Sequence, residues 1–115
     1  MKIYYAHSKK IYNTAQEEKE FKMIQERFPD AEIVCPNQHI GELGSIEPYL
    51  KVIDTCDSVA CSEFKKLVGR GVAVEVLHAK YSKKPVYNVS ESFKEVKGIE
   101  MVNGGIDWVN FAKLL

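Results

Sequence analysis

Short β-rich runs alternate with longer stretches of helical periodicity along most of the chain, and this alternation restricts the fold more than any other feature. The first run is Lys2 to Ala6. Asn13 or Thr14 then opens a helix, with Gln16 and Glu17 as capping-box partners. Ala15, Phe21, Ile24 and Phe28 give that helix an apolar stripe, and Pro29-Asp30 ends it. Glu32 to Cys35 reads as a second strand stopped by Pro36-Asn37, and residues 37 to 45 read as loop. A second helix begins near Pro48, a residue suited to a first helical turn, and turns Leu50, Ile53 and Cys56 inward. Ser58 to Cys61 is a third strand, Glu63 to Arg70 a polar loop, Val72 to Tyr81 a third helix and Val86 to Val89 a fourth strand. Ile99 to Val102 reads as a short fifth strand. Asp107 to Leu115 reads as a closing helix that buries Trp108 and Phe111.

Strands that alternate with helices point to βαβ units and a parallel sheet. The expected fold is α/β: a three-layer sandwich with a four- or five-stranded parallel sheet, flavodoxin-like or Rossmann-like, in one domain over residues 1–115. The unbroken apolar run of the first strand suits a strand covered on both faces, so it is expected in the middle of the sheet. In such sheets ligands bind beyond the carboxyl ends of the strands. That edge holds His7-Ser8, Pro36-Asn37, Ser62-Glu63 and the loop before the third helix.

Composition narrows the class. A length of 115 residues suits a single domain, and 45% apolar with 28% charged residues argues against long disorder. Lys plus Arg is 16 and Asp plus Glu is 16, a formal net charge of zero, which leaves no electrostatic footprint for a nucleic acid polymer or an anionic membrane. No apolar run approaches the roughly 20 residues that span a bilayer, and the first apolar run is too short for a signal peptide. Cys35, Cys56 and Cys61 cannot all pair, and they form no CxxC. Reduced thiols without metal, in a cytoplasmic chain, are therefore expected.

The segment Gly69-Arg70-Gly71-Val72-Ala73-Val74-Glu75-Val76-Leu77-His78-Ala79 is the most informative for chemistry. Gly71 sits where a loop turns into a helix, which allows backbone to approach a ligand and leaves helix N–H groups available. Glu75 follows among apolar neighbours. An acid there is either a functional carboxylate or part of the helix's wet stripe. Gly69-Arg70-Gly71 has neither the Walker ending nor the Rossmann glycine spacing. Arg70 is either a phosphate partner or an ordinary surface arginine. Tyr5, His7 and Ser8 end the first strand, as pocket rim or as core strand and solvated loop. Asp57 is a residue that ends a helix or starts a turn.

Three stretches resemble the nucleoside 2-deoxyribosyltransferase-like superfamily, which includes deoxynucleoside-monophosphate N-glycosidases. They are Lys2-Ile3-Tyr4-Tyr5-Ala6-His7-Ser8, then Ile53-Asp54-Thr55-Cys56-Asp57-Ser58-Val59, and Gly71 to Ala79 with Lys84-Pro85-Val86 behind it. The resemblance covers roughly residues 2 to 89. It implies that Glu75 is the nucleophile, attacking the anomeric carbon while the base leaves through an oxocarbenium-like transition state. It further implies a nucleoside or nucleoside 5′-monophosphate as small-molecule partner, no cofactor, and a homodimer or larger homo-oligomer. Gly71 and Ser8 would shape the pocket, Tyr5 and His7 would contact base or sugar, and the helix N-terminus would help keep Glu75 ionised. The chain departs from the family in three ways. Gly69 stands where transferases commonly carry an acid, Glu47 is the only acid in the stretch matching the auxiliary acid, and the phosphate-binding serine has no match beyond Ser8 or Arg70. Two rival expectations therefore stand beside the enzyme: a non-catalytic nucleotide-binding sensor and a module without a small ligand.

Overall fold

The structure is a computed structural model and describes residues 1–39, 45–65, 68–96, 100–102 and 105–107. Its centre is a five-stranded sheet built from β1 (Lys2–Ala6), β2 (Glu32–Val34), β3 (Ser58–Cys61), β4 (Val86–Asn88) and β5 (Lys94–Glu95), in the order β2-β1-β3-β4-β5. The pairs β1–β2, β1–β3 and β3–β4 are parallel and β4–β5 is antiparallel. β1 lies inside the sheet, as its apolar run requires. Tyr4 pairs in register with Val34 on one side and Val59 on the other. Asp57, after the second long helix, accepts a hydrogen bond from the Lys2 backbone N–H at 2.7 Å and so fixes where β1 starts.

Alternation along β1 divides the core. Tyr4 and Ala6 join Ile53, Val59, Val72 and Val76 on one face. Ile3 and Tyr5 join Ile24, Ile33 and Ala60 on the other, with Phe21 and Phe28 packed against them. Helices cover both faces, an arrangement compatible with a three-layer sandwich. They are α1 (Ala15–Arg27), α2 (Pro36–His39), α3 (Glu47–Asp54) and α4 (Arg70–Tyr81). α1 is capped by Thr14, whose side chain accepts from the Glu17 N–H, while Glu17 accepts from the Asn13 N–H at 3.2 Å. Its buried stripe differs from the expected one: Ala15 is exposed, and Glu17, Glu20 and Ile24 face inward.

Several boundaries also differ. A short helical turn, α2, opens at Pro36 and takes the first residues of the loop expected over 37–45, because proline at a first helical position is already set for it; 40–44 of that loop lie outside the described residues. α4 starts at Arg70, two residues earlier than its apolar pattern suggests. Val89 leaves β4 and opens a 3₁₀ turn, Val89–Glu91, capped by Asn88. The expected fifth parallel strand is not in the main sheet. Glu100–Val102 (β6) instead pairs antiparallel with Gly105–Asp107 (β7) in a separate two-stranded sheet. Asp107 thus belongs to a strand, and the rest of the expected closing helix, 108–115, lies outside the described residues. No helix among the described residues is long and apolar enough to cross a membrane.

Candidate functional site

The chain leaves the carboxyl ends of β1, β2 and β3 into the Ser8 turn, into Pro36 and into the segment before α4. Between these exits lies a cleft of about 840 Å³, bounded also by Ile46 and Tyr49 of the α3 entry. The sheet order changes direction at β1, with β2 on one side and β3 on the other, so a cleft here follows the usual rule for open α/β sheets.

Glu75 lies in the cleft wall, on the second turn of α4, and is only 7% exposed. Tyr4 comes up from β1 beneath it and its hydroxyl donates to Glu75 Oε2. Burial pushes the Glu75 carboxyl up to about 7, and the Tyr4 hydrogen bond partly opposes this by favouring the anion. Desolvation therefore outweighs the expected help from the helix N-terminus, whose field fades beyond the first turn. Tyr4 is itself raised above the usual phenol range, by burial first and then by the Glu75 charge. Tyr12, across the cleft, is pushed up to about 12 for the same two reasons. The arrangement is one poorly solvated carboxylate among phenols that stay protonated at neutral pH.

The rim has the opposite sign. Lys9, Lys10 and Arg70 line it, and among the described lining residues Glu75 is the sole acid. The Ser8 side chain accepts from the Lys10 N–H at 3.2 Å and so shapes this turn. Gly69 is the N-cap residue of α4, and no side-chain hydrogen bond caps the helix. A Cβ built on Gly71 would meet nothing within 4 Å, so protein packing does not demand glycine there.

Glu75, His7, Ser8, Arg70 and Gly71 thus share the cleft. Tyr5 and Glu47 do not line it. Tyr5 points to the opposite face of the sheet, where its hydroxyl donates to Glu20 Oε1 at 2.6 Å, because one step along a strand changes face. Glu47 is exposed at the start of α3, while its neighbours Ile46 and Tyr49 reach the cleft. His7 touches the cleft without a nitrogen to offer. Nδ1 is 3.0 Å from the Tyr5 carbonyl oxygen and Nε2 is 2.6 Å from Glu17 Oε2. Its ring is stacked on Tyr5 at 3.8 Å.

Tyr4, Tyr12 and Tyr49 are cleft residues that sequence reasoning passed over. β1 is apolar on both sides, so its pattern carries no sign of which tyrosine faces the ligand edge. Glu17 has the expected capping-box place but is also buried, and Glu20, which the sequence does not single out, is buried beside it. Their spacing with Ile24 on one stripe was the available signal.

Among the described residues, His7, Glu17 and Cys35 form a group able to hold a metal, with donor atoms all within 4.8 Å of one another. Cys56 and Cys61 are buried elsewhere, and no two of the three thiols are joined. No protein-family model matches the chain. No curated protein is significantly similar to it.

Proposed function

We propose that this chain is a nucleoside 2-deoxyribosyltransferase-like enzyme of flavodoxin-like, three-layer architecture. It cleaves or transfers the N-glycosidic bond of a nucleoside or nucleoside 5′-monophosphate, with Glu75 as nucleophile. The observation that carries this reading is the buried Tyr4–Glu75 pair in the wall of a cleft at the carboxyl edge of the sheet. A carboxylate kept from water, with one donor holding one of its oxygens, has its second oxygen available to attack an electron-poor carbon.

In this reading Glu75 bonds to the anomeric carbon as the C–N bond breaks, and the electron pair of that bond leaves with the base, which takes a proton from solvent. Water then attacks the glycosyl ester and regenerates the carboxylate, or a second base accepts the sugar. Negative charge at Glu75 stabilises the oxocarbenium-like transition state. Lys9, Lys10 and Arg70 with the α4 entry favour a phosphomonoester on the substrate. The same reading includes assembly of a homodimer or larger homo-oligomer.

A second reading, a nucleotide sensor without turnover, is favoured by one feature: the described cleft lining holds no acid besides Glu75 to protonate the leaving base. Incubation with a panel of nucleosides and their 5′-monophosphates, with chromatography for free base, separates the two. Base release by the wild type and none by Glu75→Gln supports the enzyme. Binding of a monophosphate without release from any substrate supports the sensor.

A further inference from the structure

We propose that His7, Glu17 and Cys35 form a binding site for one zinc-class divalent cation, set into the wall behind the cleft. The three come from separate elements: His7 follows β1, Glu17 is in the first turns of α1, and Cys35 follows β2. Their donor atoms lie within 4.8 Å of one another, and all three residues are buried. Bonds of about 2.0–2.3 Å to zinc place tetrahedral donors roughly 3.3–3.7 Å apart, so movements of about 1 Å complete the site.

The groups around the donors favour coordination over a casual cluster. The Tyr5 carbonyl can only accept, so the 3.0 Å contact puts a hydrogen on Nδ1 and aims Nε2 at Glu17. Metal-ligating histidines usually have their other ring nitrogen held in this way. Stacking on Tyr5 at 3.8 Å fixes the ring plane. The carboxylate is oriented too, since Glu17 Oε1 accepts from the Asn13 N–H at 3.2 Å. Cys35 Sγ donates to Asn37 Oδ1 at 3.1 Å, which places a neutral oxygen beside the metal position.

Charge balance is the strongest argument. The proton held between Nε2 and Oε2, and the Cys35 thiol proton, both leave as the cation enters. Two positive charges then meet one carboxylate and one thiolate, so the buried pocket gains no net charge and avoids the large cost of a lone buried ion. A nitrogen, oxygen and sulfur donor set suits zinc and its spectroscopic substitute cobalt(II). The bound ion would tie the exit of β1 to α1 and β2, and so brace the Ser8 turn at the cleft rim.

The test is titration of the full chain with cobalt(II) chloride under a phosphine reductant. The expected result is a sulfur-to-cobalt charge-transfer band that saturates at one equivalent, is displaced by zinc, and survives in Cys56→Ser. Cys35→Ser and Cys35→Ala should lose the band, and Glu17→Gln should weaken cobalt binding at least about tenfold, about 1.4 kcal/mol. X-ray absorption of the zinc-loaded wild type, which needs no variant to fold, should show one sulfur at about 2.3 Å with nitrogen and oxygen. No thiolate band at millimolar cobalt, a band unchanged in Cys35→Ala, or a zinc shell without sulfur would each overturn the site.

Discussion

Glu75 is held at a cost in stability. Its folded pKa of about 7 lies above the ordinary 4.5, so between those values the folded state keeps a proton that the unfolded chain has lost. Stability then falls as pH rises through this window, by about 3 kcal/mol in all. Glu75→Gln removes the titration while keeping an oxygen for the Tyr4 hydroxyl. The variant is expected to be more stable than wild type at pH 8 by up to about 3 kcal/mol, and to match it more closely at pH 4.5. Urea denaturation at the two pH values checks this; equal stability at pH 8 would mean that the carboxylate is better solvated than its burial indicates.

In the proposed reaction the same residue would set the pH profile of activity. A nucleophile must be ionised, so kcat/KM should rise with an inflection near 7. Tyr4→Phe retains the ring and removes the donor that favours the anion. A hydrogen bond to a charged group is worth about 1.5–3 kcal/mol, so the inflection should move roughly 1–2 pH units to the alkaline side. A profile that falls with pH would make Glu75 an acid, and an unmoved inflection in Tyr4→Phe would remove Tyr4 from the site.

Among the elements, α4 brings Arg70, Gly71 and Glu75 to the cleft, and its first turn gives a separate prediction. Since a Cβ on Gly71 meets nothing within 4 Å, Gly71→Ala should fold with an unchanged or slightly raised Tm. If the glycine is there for the approach of a ligand, KM for the monophosphate should rise about tenfold, near 1.4 kcal/mol. Unaltered KM would leave Gly71 without a role in binding. The elements also mark what the sequence can and cannot say. β3 has its expected bounds because Ser58 to Cys61 is a buried apolar run between turns. The cleft edge and the position of Glu75 followed from the βαβ pattern. Which face of β1 meets the cleft did not, since Tyr4 and Tyr5 are both fully buried and their chemistry is the same. The inward acids of α1 were hidden for a different reason: Glu17 and Glu20 look like solvated helix residues until Tyr5 and His7 are brought against them in space. β5 has two exposed residues and no apolar signal at all.

At the scale of the whole molecule, α4 faces two ways. Val72, Val76 and Ala79 pack into the core, while Val74, Leu77 and Tyr81 are exposed, Tyr81 at 93%. Their spacing puts these three along one helical stripe. The proposed assembly would use it, so Leu77→Glu combined with Tyr81→Glu should shift the oligomer to monomer in sedimentation velocity. A wild-type monomer at micromolar concentration would remove assembly from the account. The formal charge of the chain is zero, yet among the described residues three cations and one carboxylate line the cleft, which suits an anionic substrate better than the overall balance suggests.

Covalent attack by Glu75 can be caught by intact-mass spectrometry after acid quench during turnover. With a substrate that the wild type cleaves, the mass should increase by one glycosyl group, carried by the peptide containing Glu75 and absent from Glu75→Gln. Base release that continues in Glu75→Gln, or an adduct mapped to another residue, would contradict it.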